Sequence, residues 1–139
     1  MNLTENFTYE ELIHSSTALR HNIDNVPKEQ YIVNNLQNLA VLLQKIRDRF
    51  GAALHVNSGY RCKALNDVIG GASNSDHLYG AAADITCYDN RALWDTIIDM
   101  IKSGEIECRQ AIYEYGGRWV HISINHSKNS KKQNQILYT

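Results

Sequence analysis

Three side chains able to share one divalent metal ion stand in two short stretches. His77 and Asp84 lie in Ser75-Asp76-His77-Leu78-Tyr79-Gly80-Ala81-Ala82-Ala83-Asp84, and His121 lies downstream in Trp119-Val120-His121. Two imidazoles and one carboxylate form a donor set suited to zinc, and three protein ligands leave a fourth tetrahedral position for water. That open position separates a catalytic zinc from a closed structural one. The pattern therefore predicts a small hydrolase built around one Zn2+ ion held by His77, Asp84 and His121. Gly80 permits a sharp turn between the first two ligands, and the three alanines predict an open cleft beside Asp84. Ser75 is expected to orient a ligand or meet substrate, whereas Asp76 is expected to face solvent, with support of a ligand from behind as the alternative.

The elements that must carry these residues are legible from periodicity and from turn residues. Thr8 with Glu11 makes a capping box, which predicts a short helix from Glu10 to His14. Ile32, Leu36, Leu39, Leu43, Ile46 and Phe50 form the apolar stripe of a long amphipathic helix, which Gly51 stops. Leu54 to Ser58 and Ala82 to Thr86 read as strands. Lys63 to Ile69 reads as a short helix ended by Gly70-Gly71. A further helix capped by Asn90 would turn Leu93, Ile97 and Ile101 inward. Arg109 to Tyr115 and Arg118 to Ile124 predict a hairpin with Gly116-Gly117 as a two-residue turn. The mixture predicts an α+β domain, a small antiparallel sheet flanked by helices.

The hairpin carries an inference about chemistry. With Gly116 and Gly117 as the turn, Tyr115 would pair with Arg118, Glu114 with Trp119 and Ile112 with His121. Opposed residues share a face, so Glu114, Trp119 and His121 would point to one side and Arg118 to the other. Glu114 beside His121 is placed to move a proton to and from water, as a general base and acid.

Composition sets the bounds. The chain has 139 residues, 43% hydrophobic and 21% charged, with a single proline and a formal net charge of -1, which gives no global attraction to nucleic acid. The sequence is expected to form one domain over 1–126 with a polar tail over 127–139, where Lys128, Lys131 and Lys132 are expected to be solvated. No apolar run is long enough for a membrane span, and the first residues show no basic and apolar leader. A monomer made in the cytoplasm without a signal peptide, acting after release, is the expectation. Cys62, Cys87 and Cys108 read as reduced thiols, and His14, His21, His55 and His126 as ordinary surface or core histidines.

Ser58-Gly59-Tyr60-Arg61, the motif SxHxxGxAxD filled by Ser75, His77, Gly80, Ala82 and Asp84, and Glu114 with Trp119-Val120-His121-Ile122-Ser123 together resemble one family. It is the zinc D-alanyl-D-alanine carboxypeptidase and L-alanyl-D-glutamate endopeptidase family of peptidoglycan peptidases, in its small phage and prophage form. The resemblance implies the D-Ala-D-Ala carboxypeptidase-like (hedgehog/DD-peptidase) fold, zinc on His77, Asp84 and His121, and peptidoglycan stem peptides as substrate. It also implies that Arg61 engages substrate or the developing oxyanion, with Ser75, Tyr60 and Trp119 as candidate substrate contacts. Several relatives carry the catalytic acid three residues before the last histidine, where this chain has Arg118, so Glu114 must substitute. The rival expectations are a non-catalytic zinc module that binds cell wall or serves as a phage structural part, and a metal-free structural protein.

Overall fold

Helix packing sets one side of the molecule. The computed structural model describes residues 1–139, and its longest element is α3 (Gln30–Phe50), after α1 (Tyr9–Ile13) and α2 (Ser16–Arg20). The stripe read from the sequence is the buried side of α3, with Leu36, Leu39, Leu43 and Ile46 all fully enclosed. Gly51 ends the helix at φ 80°, a left-handed cap that glycine adopts without strain. Thr8 and Glu11 close the capping box of α1 as expected.

The remaining elements are β1 (His55–Ser58), α4 (Lys63–Ile69), β2 (Ala82–Thr86), α5 (Asn90–Ser103), β3 (Gln110–Glu114), β4 (Trp119–Ser123) and β5 (Gln135–Tyr138). The domain is α+β, with a five-stranded sheet in the order β1-β2-β4-β3-β5. One face of the sheet, carrying Val56, Ala83, Ile85, Ala111, Val120 and Ile122, joins Leu36 and Leu39 of α3 and Leu93, Trp94 and Ile97 of α5 in a single core cluster. The opposite face carries Asp84, Glu114, Trp119 and His121, so strand alternation separates core from chemistry.

Four expectations need correction. The sheet is not wholly antiparallel, because β5 adds to β3 in parallel. That strand lies in the segment expected to be a solvated tail. The segment is held because the backbone of Asn134 donates to Cys108 O, its side chain accepts from Cys108 N, and Trp94 Nε1 donates to Tyr138 Oη at 3.3 Å. The hairpin keeps the predicted pairs Glu114 with Trp119, Tyr113 with Val120 and Ile112 with His121, but Tyr115 does not pair with Arg118. Thr139 takes the backbone N–H groups of Tyr115 and Gly116, Tyr115 turns to φ 49°, and Glu114 O receives both Gly117 and Arg118. Finally, α5 is capped by Asp89, which accepts from Ala92 N, while Asn90 instead accepts from Cys87 N.

Candidate metal centre

Adjacent strands bring two of the three expected ligands together. Asp84 on β2 lies directly opposite His121 on β4, and His121 Nδ1 is 2.9 Å from Asp84 Oδ1. His77 arrives from a single 3-10 turn, Asp76–Tyr79, that Gly80 closes at φ 67°. A side chain at Gly80 would meet the Ile32 carbonyl at 2.8 Å, so glycine serves both the turn and its seat on α3. His77 Nε2 then stands 3.4 Å from Asp84 Oδ2.

These donors fit a metal ion. In a tetrahedral site with bonds near 2.1 Å, neighbouring donor atoms lie about 3.4 Å apart. The ligand atoms of His77, Asp84 and His121 all fall within 4.8 Å of one another. His77 Nδ1 is 2.7 Å from the Gly59 carbonyl, which can only accept, so that nitrogen carries the proton and Nε2 keeps its lone pair for the metal. Gly59 must be glycine there, since a Cβ would fall 2.2 Å from the Leu12 carbonyl.

Electrostatics keep the donors in the forms a metal requires. Burial opposes the charge on Asp84, but the two neighbouring histidines outweigh it and hold the carboxyl below the usual range. Burial lowers the His77 pKa and favours neutral imidazole, against the pull of Asp84.

Arg61 borders the ligands. Its Nη2 lies 3.4 Å from Asp84 Oδ2, its Nε donates to Ser58 Oγ at 3.0 Å, and its Nη1 reaches Asn66 Oδ1 at 3.3 Å. The irregular register of β1 between Val56 and Ser58 sets Ser58 opposite Asp84 and so brings the Ser58 hydroxyl to the guanidinium. Arg61, Asp84 and Trp119 line one depression, while Ser75, Glu114 and His121 line a second, of about 330 Å³. Glu114 occupies the face derived from the hairpin register, and burial raises its pKa, countered by His121 and reinforced by Asp84.

Three expected details change. Tyr60 does not join the ligands: its side chain is buried beside Tyr31 and Tyr79 in a separate hollow, and burial pushes its phenol up to about 12. Ala81, Ala82 and Ala83 are fully buried, so their small size serves close packing and opens no cleft beside Asp84. Asp76 is buried, not solvated, and receives Arg109 at 2.7 Å, Asn129 at 2.6 Å and His126 at 2.9 Å. Ser75 acts on His77 through the backbone, its hydroxyl accepting from His77 N at 3.2 Å. Sequence reasoning missed Arg109, His126 and Asn129 because they reach Asp76 from distant parts of the chain, with no local spacing to announce them.

The three donors form a cluster that could hold a metal ion, with Glu114 on the same sheet face. Residues 5–123 match the family described as Peptidase M15, and the chain belongs to that family of zinc D-Ala-D-Ala carboxypeptidase-type peptidases. A comparison with curated proteins gives no match. Membership makes the protein a hydrolase of the metallopeptidase class. No helix is long and apolar enough to cross a membrane.

Proposed function

We propose that the protein is a zinc-dependent peptidase that hydrolyses bonds in the stem peptides of bacterial peptidoglycan. The observation that carries this reading is the convergence of His77, Asp84 and His121 on one sheet face, with Glu114 on the same face. Zinc on the three ligands would polarise the scissile carbonyl and make water acidic enough to attack near neutral pH. Glu114 takes the proton from the attacking water and returns it to the leaving amine, a role suited to a carboxylate whose burial makes it more basic. Arg61 stays charged and turns its guanidinium toward the ligand cluster, where it holds a substrate carboxylate or offsets charge developing on the carbonyl oxygen. Trp119, in the depression with Arg61, supplies an apolar wall for the peptide.

The fold we assign is the D-Ala-D-Ala carboxypeptidase-like one, and the setting is wall lysis of the kind small phage enzymes perform. Neighbouring genes for wall synthesis, with none for lysis or phage tails, would overturn that setting. The chemistry is tested by mass spectrometry of cross-linked peptidoglycan fragments incubated with the zinc-loaded protein and with Glu114→Gln. Products from the unmodified protein alone support the reading and identify the bond. Absence of products from zinc-loaded, folded protein overturns it.

A further inference from the structure

The depression that holds Glu114 and His121 has a wall that the family match does not cover. Residues 125–134 lie beyond 123, the last residue matched, yet Asn129 and Lys132 line the same depression as those two site residues. The wall is built firmly. Asn125 brackets Lys132, accepting from its backbone N–H at 2.9 Å and donating to its carbonyl at 2.6 Å. Asn129 is fixed to Asp76 and to the Asn74 carbonyl.

Among the acidic and basic side chains that line this depression, Asp76 and Arg109 are paired, whereas Glu114 and Lys132 join no ion pair. Asp76 and Arg109 neutralise each other, and Arg109 also donates to Gln110 Oε1 and Ser130 O. Lys132 makes hydrogen bonds only through its backbone, and its ammonium joins no ion pair. Its two neighbours among the basic residues differ: Lys128 sits over the Tyr31 ring at 5.0 Å, and Lys131 is exposed. Lys132 is half-buried, its backbone is held by Asn125, and it lines the same depression as Glu114 and His121.

We propose that Lys132 is a specificity residue that binds a free carboxylate of the peptide next to the scissile bond. The proposal rests on the peptidase reading above and deepens it. A compact ammonium on a flexible stem suits a single carboxylate whose exact orientation varies. It also offsets the repulsion that ionised Glu114 exerts on an anionic substrate entering the same space.

The test uses the full-length, zinc-loaded protein and a synthetic stem pentapeptide containing D-glutamate, together with versions in which each free carboxylate in turn is a carboxamide. Binding is measured by calorimetry and cleavage by mass spectrometry, for the unmodified protein, Lys132→Met and Lys132→Arg. One particular amidation should weaken binding and raise KM about tenfold in the unmodified protein and Lys132→Arg. The same amidation should leave the binding and KM of Lys132→Met unaffected, with zinc content preserved. If the unmodified protein binds but cleaves nothing, the peptidase reading fails while carboxylate recognition stands or falls on the binding data. If Lys132→Met discriminates among the peptides as the unmodified protein does, or if no amidation weakens the unmodified protein, the proposal is overturned.

Discussion

Asp76 and Asp84 are both buried carboxylates, and both face basic side chains, yet they are built for different ends. Asp76 receives a guanidinium, an amide and an imidazole whose partners are all used: His126 Nε2 faces Asp76, and its Nδ1 accepts from Lys128 N. Asp84 faces two imidazoles that lie within metal-sharing distance of it and of each other, while Arg61 approaches from the side. The first arrangement is closed and ties residues 126–130 to the turn that carries His77. The second gathers three metal-capable donor groups within 4.8 Å of one another. Burial and charge alone do not mark a functional carboxylate; the geometry of its partners does.

The comparison breaks first at Asp84. Replacing Asp84 by Ala removes one of three ligands, and zinc per chain, measured by atomic emission, should fall well below one, with hydrolysis reduced on the order of 1000-fold. Glu114→Gln should lose a comparable or somewhat smaller factor, roughly 100- to 1000-fold, while zinc content stays the same. A pair of variants that lost zinc equally would merge ligand and base into one role and contradict this assignment.

The pH dependence separates the same two groups. Burial raises the Glu114 pKa, and the base acts only when ionised, so kcat/KM should fall with decreasing pH through a limb above the ordinary carboxylate range. Asp84 works in the opposite sense in the metal-free protein. Burial disfavours its charge, but the histidines lower its pKa below the unfolded value, so its contribution to stability is present above about pH 4 and lost as pH falls through the folded value. Acid unfolding of metal-free Asp84→Asn should therefore depend less steeply on pH than that of the unmodified chain.

How much of this was legible in the sequence differs between the two aspartates. Asp84 was readable because its partners stand at recognisable spacing, and because strand alternation and a glycine-rich hairpin put Glu114 and His121 on one face. The same hairpin argument missed the loop conformation, since Thr139, the last residue, takes the N–H groups of Tyr115 and Gly116. Asp76 was misread as solvated for a related reason. Its partners Arg109, His126 and Asn129 come together only after residues 125–139 fold back along β3, and polar composition alone gave no sign of that strand. Local pattern carries information about alternation and caps; it carries little about a polar segment stabilised by side-chain bonds to distant backbone.

Asp76 should dominate stability where Asp84 dominates chemistry. Arg109→Met leaves Asp76 buried without its principal counter-charge and should cost about 3–5 kcal/mol, read from denaturant unfolding. Unfolding midpoints unchanged within error would mean that the Asp76 cluster is solvated in solution and would remove the contrast. Zinc stoichiometry of whatever fraction remains folded should be preserved, because none of the three ligands has been touched.

The finest distinction is available at Asn129. Its amide donates to Asp76 at 2.6 Å, but Arg109 and His126 remain on the same carboxylate when it is removed. Asn129→Ala should therefore cost about 1.5–3 kcal/mol, the range for a hydrogen bond to a charged group, and less than Arg109→Met. The double variant carries the argument further. If Asp76 is one closed network, loss of Asn129 in an Arg109→Met background should not add to the single effects, because the carboxylate has already lost the partner that made its burial tolerable. Simple additivity in that cycle would show three separate contacts and no network, and the closed character assigned to Asp76 would fail.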